Sequence, residues 1–260
     1  EDPRVRAVTL TGSEAAGRKV ATQAGGALKK SVLELGGSDP YIVLADADLD
    51  EAARVAATAR TINSGQSCIA AKRFIVVDSV ADAFRDRLRR HLEELVMGDP
   101  NDRGTDIGPQ ARADLRDTLH DQVGRSVQAG AELLLGGQMP AGKGFYYPVT
   151  LLDRVAEGMP VADEETFGPV APILRVTDAD QAVAVANRSR YGLGGAVWSD
   201  DRERAEAVAQ RLDVGAVFVN GMVKSDPRLP FGGVKASGYG RELSFFGIRE
   251  FTNIQTVWIG

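Results

Sequence analysis

The sequence is poor in metal-binding and cross-linking residues, with one cysteine and two histidines among 260 residues. A single cysteine excludes an intramolecular disulfide, which fits a reducing cytoplasm. His91 and His120 lie in charged stretches without metal-ligand spacing, so no metal site is expected. No apolar run approaches the length of a membrane-spanning helix. The net charge of −5 argues against nucleic acid or an anionic membrane as a partner.

An initiating methionine is also missing. The chain opens with Glu1-Asp2-Pro3 and enters an apolar stretch at residues 5–10. This opening is typical of the middle of a protein, and it predicts that the chain is the later part of a longer one.

Strand-like and helix-like patterns alternate along the chain, which predicts an α/β fold with a mostly parallel sheet flanked by helices. A capping box of Ser79 and Asp82 is predicted to begin one helix, and Asp48 or Asp50 to cap another. The predicted strands are 6–10, 32–35, 41–44, 73–77, 133–135, 173–176, 195–198, 216–219 and 251–259. The predicted helices are 14–24, about 48–62, 80–96, 111–130, 179–187 and 202–212.

The lone thiol of Cys68 follows Asn63-Ser64-Gly65-Gln66-Ser67 at the end of a predicted helix. A free cysteine is most often a small buried hydrophobic residue, and that interpretation stays open. The small, polar neighbours favour a loop that a substrate can approach closely. There the thiolate would add to an electrophilic carbon, and its own backbone N–H would help to hold the oxyanion.

A carboxylate 34 residues earlier is the candidate partner of this thiol. Glu34 stands between Leu33 and Leu35 and is followed by two glycines. An isolated glutamate is usually solvated or salt-bridged. At the end of an apolar strand, however, burial raises the pKa of a carboxyl group toward that of a general base near neutral pH.

Two further motifs suggest a nucleotide. Glu165 could accept the hydroxyls of a ribose, and Phe167 could pack against a planar ring; the alternative is an ordinary acidic turn. Gly12 and Ser13 lie at a strand-to-helix turn, where backbone amides favour phosphate. A simple serine cap explains that turn equally well, and the motif is not a complete dinucleotide fingerprint.

In this order, the motifs resemble those of the aldehyde dehydrogenase superfamily along the whole chain. Leu33-Glu34-Leu35-Gly36-Gly37 resembles the general-base motif, and Gly65-Gln66-Ser67-Cys68 the nucleophile motif. Glu165-Thr166-Phe167-Gly168-Pro169 is similar to the cofactor motif, and Pro230-Phe231-Gly232-Gly233 to the substrate-pocket segment. Within the family, the likeness is greatest to bacterial succinate-semialdehyde dehydrogenases.

The resemblance implies oxidation of an aldehyde, with NAD or NADP as cofactor, through a thiohemiacetal and a thioester on Cys68. Glu34 would be the general base that activates the hydrolytic water. The implied cofactor-binding residues are Gly12, Ser13, Leu35, Glu165 and Phe167. The implied substrate-pocket residues are Phe231, Ser67 and Arg228.

The resemblance also divides the chain into domains. Residues 1–36 would be a remnant of the dinucleotide-binding domain, 37–245 the catalytic domain, and 246–260 an oligomerisation segment of a homodimer or homotetramer. The family's oxyanion-hole asparagine, its adenosine-ribose lysine and the first nucleotide-domain strands match nothing in this sequence. The chain alone is therefore expected to bind dinucleotide poorly and to turn over slowly or not at all.

Two positions depart from patterns seen in parts of the family. Ile62 stands where one branch has an arginine for the substrate carboxylate, which leaves Arg228 or Lys224 as candidates. Ala70 stands where some relatives have a second cysteine, so a disulfide switch with Cys68 is excluded.

Two other functions remain open: a cofactor-independent thiol esterase, and a non-catalytic assembly module that pairs through the strand predicted at 251–259.

Overall fold

The computed structural model describes residues 2–260. The strands are β1 (Ala7–Thr11), β2 (Lys30–Glu34), β3 (Asp39–Val43), β4 (Ala71–Val77), β5 (Glu132–Leu135), β6 (Thr150–Asp153), β7 (Val170–Val176), β8 (Tyr191–Gly192), β9 (Gly194–Trp198), β10 (Ala216–Val219), β11 (Val234–Lys235) and β12 (Gly238–Tyr239). The helices are α1 (Glu14–Gly26), α2 (Leu49–Thr61), α3 (Asp78–Glu93), α4 (Ala113–Gln128), α5 (Pro160–Asp163), α6 (Ala179–Asn187), α7 (Arg202–Ala209) and α8 (Ser244–Glu250). None of the helices described for residues 2–260 is long and apolar enough to cross a membrane.

The main sheet has seven strands in the order β10-β9-β3-β4-β7-β6-β5. All neighbouring pairs are parallel except β5 with β6, which is antiparallel. Parallel strands need crossover connections, usually helices, and these cover both faces of the sheet. The predicted α/β class with a mostly parallel sheet is confirmed.

Successive side chains of β3 and β4 point to opposite faces of the sheet, and each face contributes to its own hydrophobic core. Tyr41, Val43, Phe74 and Val76 face α2 and α3 in one hydrophobic cluster. The alternate residues Ile42, Leu44, Ile75 and Val77 lie in the other cluster, with apolar side chains of α4, α6 and α7. Because both faces are covered, β3 and β4 are buried along their whole length.

A separate three-stranded sheet, in the order β1-β2-β12, carries α1. Strand β2 pairs parallel with β1 and antiparallel with the two-residue strand β12. This places segment 238–239, from the predicted catalytic domain, against segment 30–34, from the predicted cofactor remnant. The division into three domains stays a prediction.

Two local predictions are wrong. Segment 251–259 is not a strand, and its apolar side chains are exposed, including Trp258 at 89%. A strand needs a neighbour for its hydrogen bonds, and no other strand of residues 2–260 pairs with this segment. The Ser79–Asp82 capping box is absent, because α3 begins at Asp78 without a side-chain cap. Asp82 instead forms an ion pair with Arg175. The Asp48 cap of α2 is confirmed.

Candidate functional site

The loop that carries the thiol begins with an unusual backbone. After α2 ends, a short 3₁₀ turn (Ile62–Gly65) holds Asn63, Ser64 and Gly65 in the left-handed region, at φ of 52°, 55° and 74°. Residues other than glycine rarely adopt this backbone region, and those that do are concentrated at functional sites. At Gly65 a Cβ atom would overlap the backbone of Gly168, so only glycine lets the loop pack against the Glu165–Pro169 segment.

Side-chain hydrogen bonds hold this loop in place. Ser64 Oγ accepts the N–H of Gly108 at 3.0 Å, and Gln66 Oε1 accepts the N–H of Ala111 at 2.8 Å. Both bonds join the loop to the segment before α4. The thiol that follows is therefore carried by a backbone fixed to the main sheet and to α4.

Cys68 is half-buried. Burial raises the pKa of the Cys68 thiol, while the nearby Lys72 charge opposes this rise. A thiol held above its usual pKa is mostly protonated near neutral pH and needs a base to become a nucleophile.

The carboxylate of Glu34 has the properties of such a base. It lies at the end of β2 with only 2% of its surface exposed, and Oε2 finds no hydrogen-bond partner among residues 2–260. Burial, and secondarily the negative charge of Glu242, raises the pKa of Glu34 to about 7. Its charge acts on the Cys68 thiol, so the two groups lie within electrostatic reach of each other.

A cleft of about 730 Å³ opens beside the thiol. Its walls come from the end of β1, the segment after β2, the loop 63–68, α4 and the Glu165–Pro169 segment. The loop 63–68 is called the nucleophile loop here, after the family motif that it resembles. The lining residues are Thr11, Gly12, Ser13, Leu35, Gly36, Gln66, Ser67, Cys68, Arg112, Leu115, Thr118, Leu119, Gln122, Glu165 and Phe167. The structure thus brings all five predicted cofactor residues into one cavity with Cys68 and Ser67.

The cofactor side of the cleft has the chemistry that a dinucleotide requires. Ser13 caps α1 and accepts the N–H of Ala16, so the positive end of a helix borders the cleft. Glu165 is partly exposed, and its Oε1 accepts the N–H of Gly37 at 2.9 Å. A helix N-terminus, an accessible carboxylate and the ring of Phe167 border the same cleft, where they could hold a phosphate, a ribose and a planar ring respectively.

Two predicted pocket residues lie outside this lining. Arg228 is highly exposed and forms an ion pair with Asp226 at 2.6 Å. Phe231 pairs through its backbone with Glu242. It directly precedes Gly232, which contacts the Glu34 side chain, so it lies on the Glu34 side. The pocket role of both residues remains a prediction.

Sequence reasoning missed one wall and the floor of the site. The wall is α4, whose Leu115, Thr118, Leu119 and Gln122 line the cleft together with Arg112 just before the helix, yet nothing in its sequence distinguishes it from a surface helix. The layer beneath the lining, here called the floor, contains Lys72, a fully buried amine that stands beside a second buried cation, Arg73, in β4. A lysine among strand residues was the available signal. Within residues 2–260 no group of three or more His, Cys, Asp or Glu side chains could hold a metal ion.

Comparison with known proteins gives a consistent result. The sequence profile of the aldehyde dehydrogenase family matches residues 1–257. The chain is 53% identical over 258 residues to the NAD(P)+ succinate semialdehyde dehydrogenase Sad of Escherichia coli, covering 99% of this chain and 56% of that protein. It is 51% identical over 259 residues to the NADP(+) succinate-semialdehyde dehydrogenase of Mycolicibacterium paratuberculosis, covering 100% of this chain and 55% of that protein.

Solved structures agree with these matches. Gox0499, studied for cofactor and substrate selection, superposes with a TM-score of 0.97 at 49% identity, over 100% of this chain and 57% of that one. The succinic semialdehyde dehydrogenase of Streptococcus pyogenes, in complex with NADP+, superposes with a TM-score of 0.96 at 41% identity, over 99% of this chain and 57% of that one. The chain spans little more than half the length of the relatives it matches.

Proposed function

Because this chain belongs to the aldehyde dehydrogenase family, we propose that it is the thiol-bearing part of an enzyme that oxidises an aldehyde to the carboxylic acid with NAD or NADP. One observation carries the proposal. The half-buried thiol of Cys68 lies in one cleft with the five candidate cofactor residues, and the buried carboxylate of Glu34 directly precedes Leu35 and Gly36 of the same lining.

In the proposed reaction Cys68 attacks the aldehyde carbon. Glu34, with its pKa raised to about 7, takes the thiol proton, and the product is a thiohemiacetal on the sulfur. The backbone N–H of Cys68 helps to hold the oxyanion. The bound cofactor supplies the hydride acceptor for this chemistry. The chain then carries a thioester on Cys68. After Glu34 has released the first proton to solvent, it deprotonates a water molecule that attacks the thioester, and it passes this second proton to the departing sulfur, which leaves the acid and the free thiol.

The cofactor would be held by the residues that line the cleft. Gly12 and Ser13, at the beginning of α1, would face the pyrophosphate side. Glu165 and Phe167 would contact the nicotinamide riboside, with Leu35 beside them. The names of the relatives support both NAD+ and NADP+, and the complex of the Streptococcus pyogenes enzyme supports NADP+.

The proposed substrate is succinate semialdehyde. The names of several relatives, at 49–53% identity over almost the whole chain, support it. Arg228 is the candidate for the substrate carboxylate, and its present partner Asp226 would have to give way. We also propose a cytoplasmic homodimer or homotetramer. The exposed apolar side chains of segment 251–259 support self-association, since they are otherwise left in water.

The test compares two proteins. One is the chain alone, and the other is the chain fused behind the N-terminal part of the Escherichia coli relative. With succinate semialdehyde, the fusion should form NADH or NADPH and lose that activity on Cys68→Ala, whereas the chain alone should be slow or inactive. If the fusion binds dinucleotide but oxidises no aldehyde in a panel, the proposal is wrong. Hydrolysis of p-nitrophenyl acetate by a fusion that oxidises no aldehyde would favour a thiol esterase, whereas such hydrolysis by the chain alone is expected from either function.

A further inference from the structure

A single buried amine touches both halves of the proposed site. Lys72, on β4, is completely buried beneath the nucleophile loop. Its Nζ donates to the carbonyl oxygens of Ser67 at 2.9 Å and Cys68 at 2.8 Å, with Ala70 O at 3.4 Å. The ammonium group therefore fixes the backbone that carries the thiol.

The same amine faces the cofactor side. Lys72 Nζ lies 3.7 Å from Oε1 of Glu165, the oxygen that also accepts the N–H of Gly37. An ammonium group in a dry interior needs such partners, because an unpaired buried charge is costly. Lys72 thus bridges the thiol loop and the carboxylate across the floor of the cleft.

The charges around Lys72 make its protonation sensitive to Glu165. Burial lowers the pKa of Lys72 to about 8, and the negative charge of Glu165 is the main effect that opposes this. Arg60, fully buried in the same floor, lowers the pKa of Lys72 further, while Asp39 and Cys68 raise it. Without the Glu165 charge, less of Lys72 would be positively charged near pH 8.

We propose that Lys72 is a positioning residue that couples the negative charge of the Glu165 carboxylate to the reactivity of the Cys68 thiol. The inference rests on the proposed function, since it gives Glu165 and Cys68 their roles. Its consequence is that a ligand which binds Glu165 alters the thiol without touching it. The proposed path runs from the carboxylate through the ammonium group to the carbonyl oxygens and the sulfur.

Alkylation by iodoacetamide tests this coupling in the chain as it stands, because Cys68 is its only thiol and neither cofactor nor aldehyde is needed. The rate is followed from pH 6 to pH 10.5. Lys72→Met should slow alkylation about tenfold near pH 7, the order expected for the loss of one neighbouring opposite charge. Above about pH 10 the two profiles should converge, since Lys72 has then lost its proton.

The neighbouring strand residue provides a matched control. Arg73 is also a buried cation of β4, but it donates to Ser38, Val185 and Ala186 rather than to the nucleophile loop. Arg73→Met should leave the alkylation profile within about twofold of the parent profile. Equal slowing by Arg73→Met and Lys72→Met, or slowing that persists at pH 10.5, would reduce the role of Lys72 to general support of the fold and overturn the proposal.

Glu165→Gln supplies a second test that does not require Lys72 to be replaced. If Glu165 acted directly on the sulfur, loss of its negative charge would favour the thiolate and speed alkylation. Coupling through Lys72 predicts the opposite, about threefold slower alkylation at pH 8, and no slowing in the Lys72→Met background. Faster or unchanged alkylation of Glu165→Gln contradicts the proposal. Because no aldehyde is used, this outcome is independent of whether the dehydrogenase assignment holds.

Discussion

The seven-stranded and three-stranded sheets differ in how completely they are buried, and each supplies one of the two reactive groups. Every residue of β3 and β4 is buried, and the loop before β4 carries Cys68. Strand β1 is only half-buried or exposed along its length, yet β2 beside it ends in the buried Glu34. The thiol is therefore carried by a fully buried core, whereas the carboxylate proposed as its base is carried by a sheet that is partly exposed.

The largest expected effect concerns the group carried by the main sheet. Cys68→Ala should lower aldehyde oxidation by the fusion protein at least about 10⁴-fold, because Cys68 is the only thiol that this chain contributes to the proposed site. The measurement is NADH or NADPH formation at saturating aldehyde. Substantial residual turnover would mean that the intermediate forms elsewhere.

Truncating one side chain in each sheet sharpens the contrast in stability. Phe74→Ala in β4 removes a ring that is 0% exposed and should cost about 4 kcal/mol of unfolding free energy. Leu10→Ala in the half-buried strand β1 should cost about 1 kcal/mol. Urea titration measures both changes. Similar losses would show that the two sheets are equally important for stability.

The buried carboxyl group of Glu34, which gains basicity from its burial, should lower the free energy of unfolding when it ionises. Its folded pKa of about 7 lies above the ordinary value of 4.5, so the folded state binds more protons between these pH values. Stability therefore falls as pH rises from about 4.5 to 7, and the loss persists above that. Glu34→Gln should be more stable than the parent by about 3 kcal/mol at pH 8, with almost no difference at pH 4.5.

The control for this prediction is Glu94→Gln, at an exposed glutamate. It should change the unfolding free energy little at either pH. A Glu34→Gln variant whose stability relative to the parent does not vary with pH would show that the carboxyl group is not buried as described.

The smallest effect is expected at the exposed end of the chain. Trp258→Ala should change the unfolding free energy of the monomer by less than about 0.5 kcal/mol, because the side chain is 89% exposed. Sedimentation velocity should detect weaker self-association of the fusion protein. An unaltered oligomer would argue against segment 251–259 as the contact between subunits.

Prediction from the sequence succeeded where the pattern was local. The alternation of patterns indicated the α/β class, and the ordered motifs led to the family. Asp48 and Asp50 were both candidates for the cap of α2, and Asp48 is the one that caps it. Pairing between distant segments was not accessible in this way. The two residues of β12 that complete the sheet beside Glu34 are too few to show a period, and segment 251–259 has strand-forming residues but no neighbouring strand.

For the candidate site, too, local motifs were predicted and the packing of distant segments was not. The five predicted cofactor residues, from Gly12 to Phe167, line one cleft with Cys68 and Ser67, whereas Glu34, Phe231 and Arg228 lie outside that lining. The contribution of α4 depends on how a helix packs across the cleft, and the burial of Lys72 depends on the loop folded over it. Neither packing arrangement follows from a local period. A lysine at the beginning of a strand marks Lys72 as unusual, but it does not reveal the carbonyl groups and the carboxylate around it.

The most direct test of the account follows the acyl group on Cys68 in the Glu34→Gln variant. The chain is mixed with p-nitrophenyl acetate, and its intact mass is followed by mass spectrometry. The pairing of Cys68 with Glu34 predicts that the thioester on Cys68 forms more slowly in Glu34→Gln than in the parent chain but persists once formed, whereas in the parent chain it decays; no thioester forms in Cys68→Ala. Equally fast decay in Glu34→Gln and the parent, or acylation at another residue, would contradict the pairing of this thiol with this base.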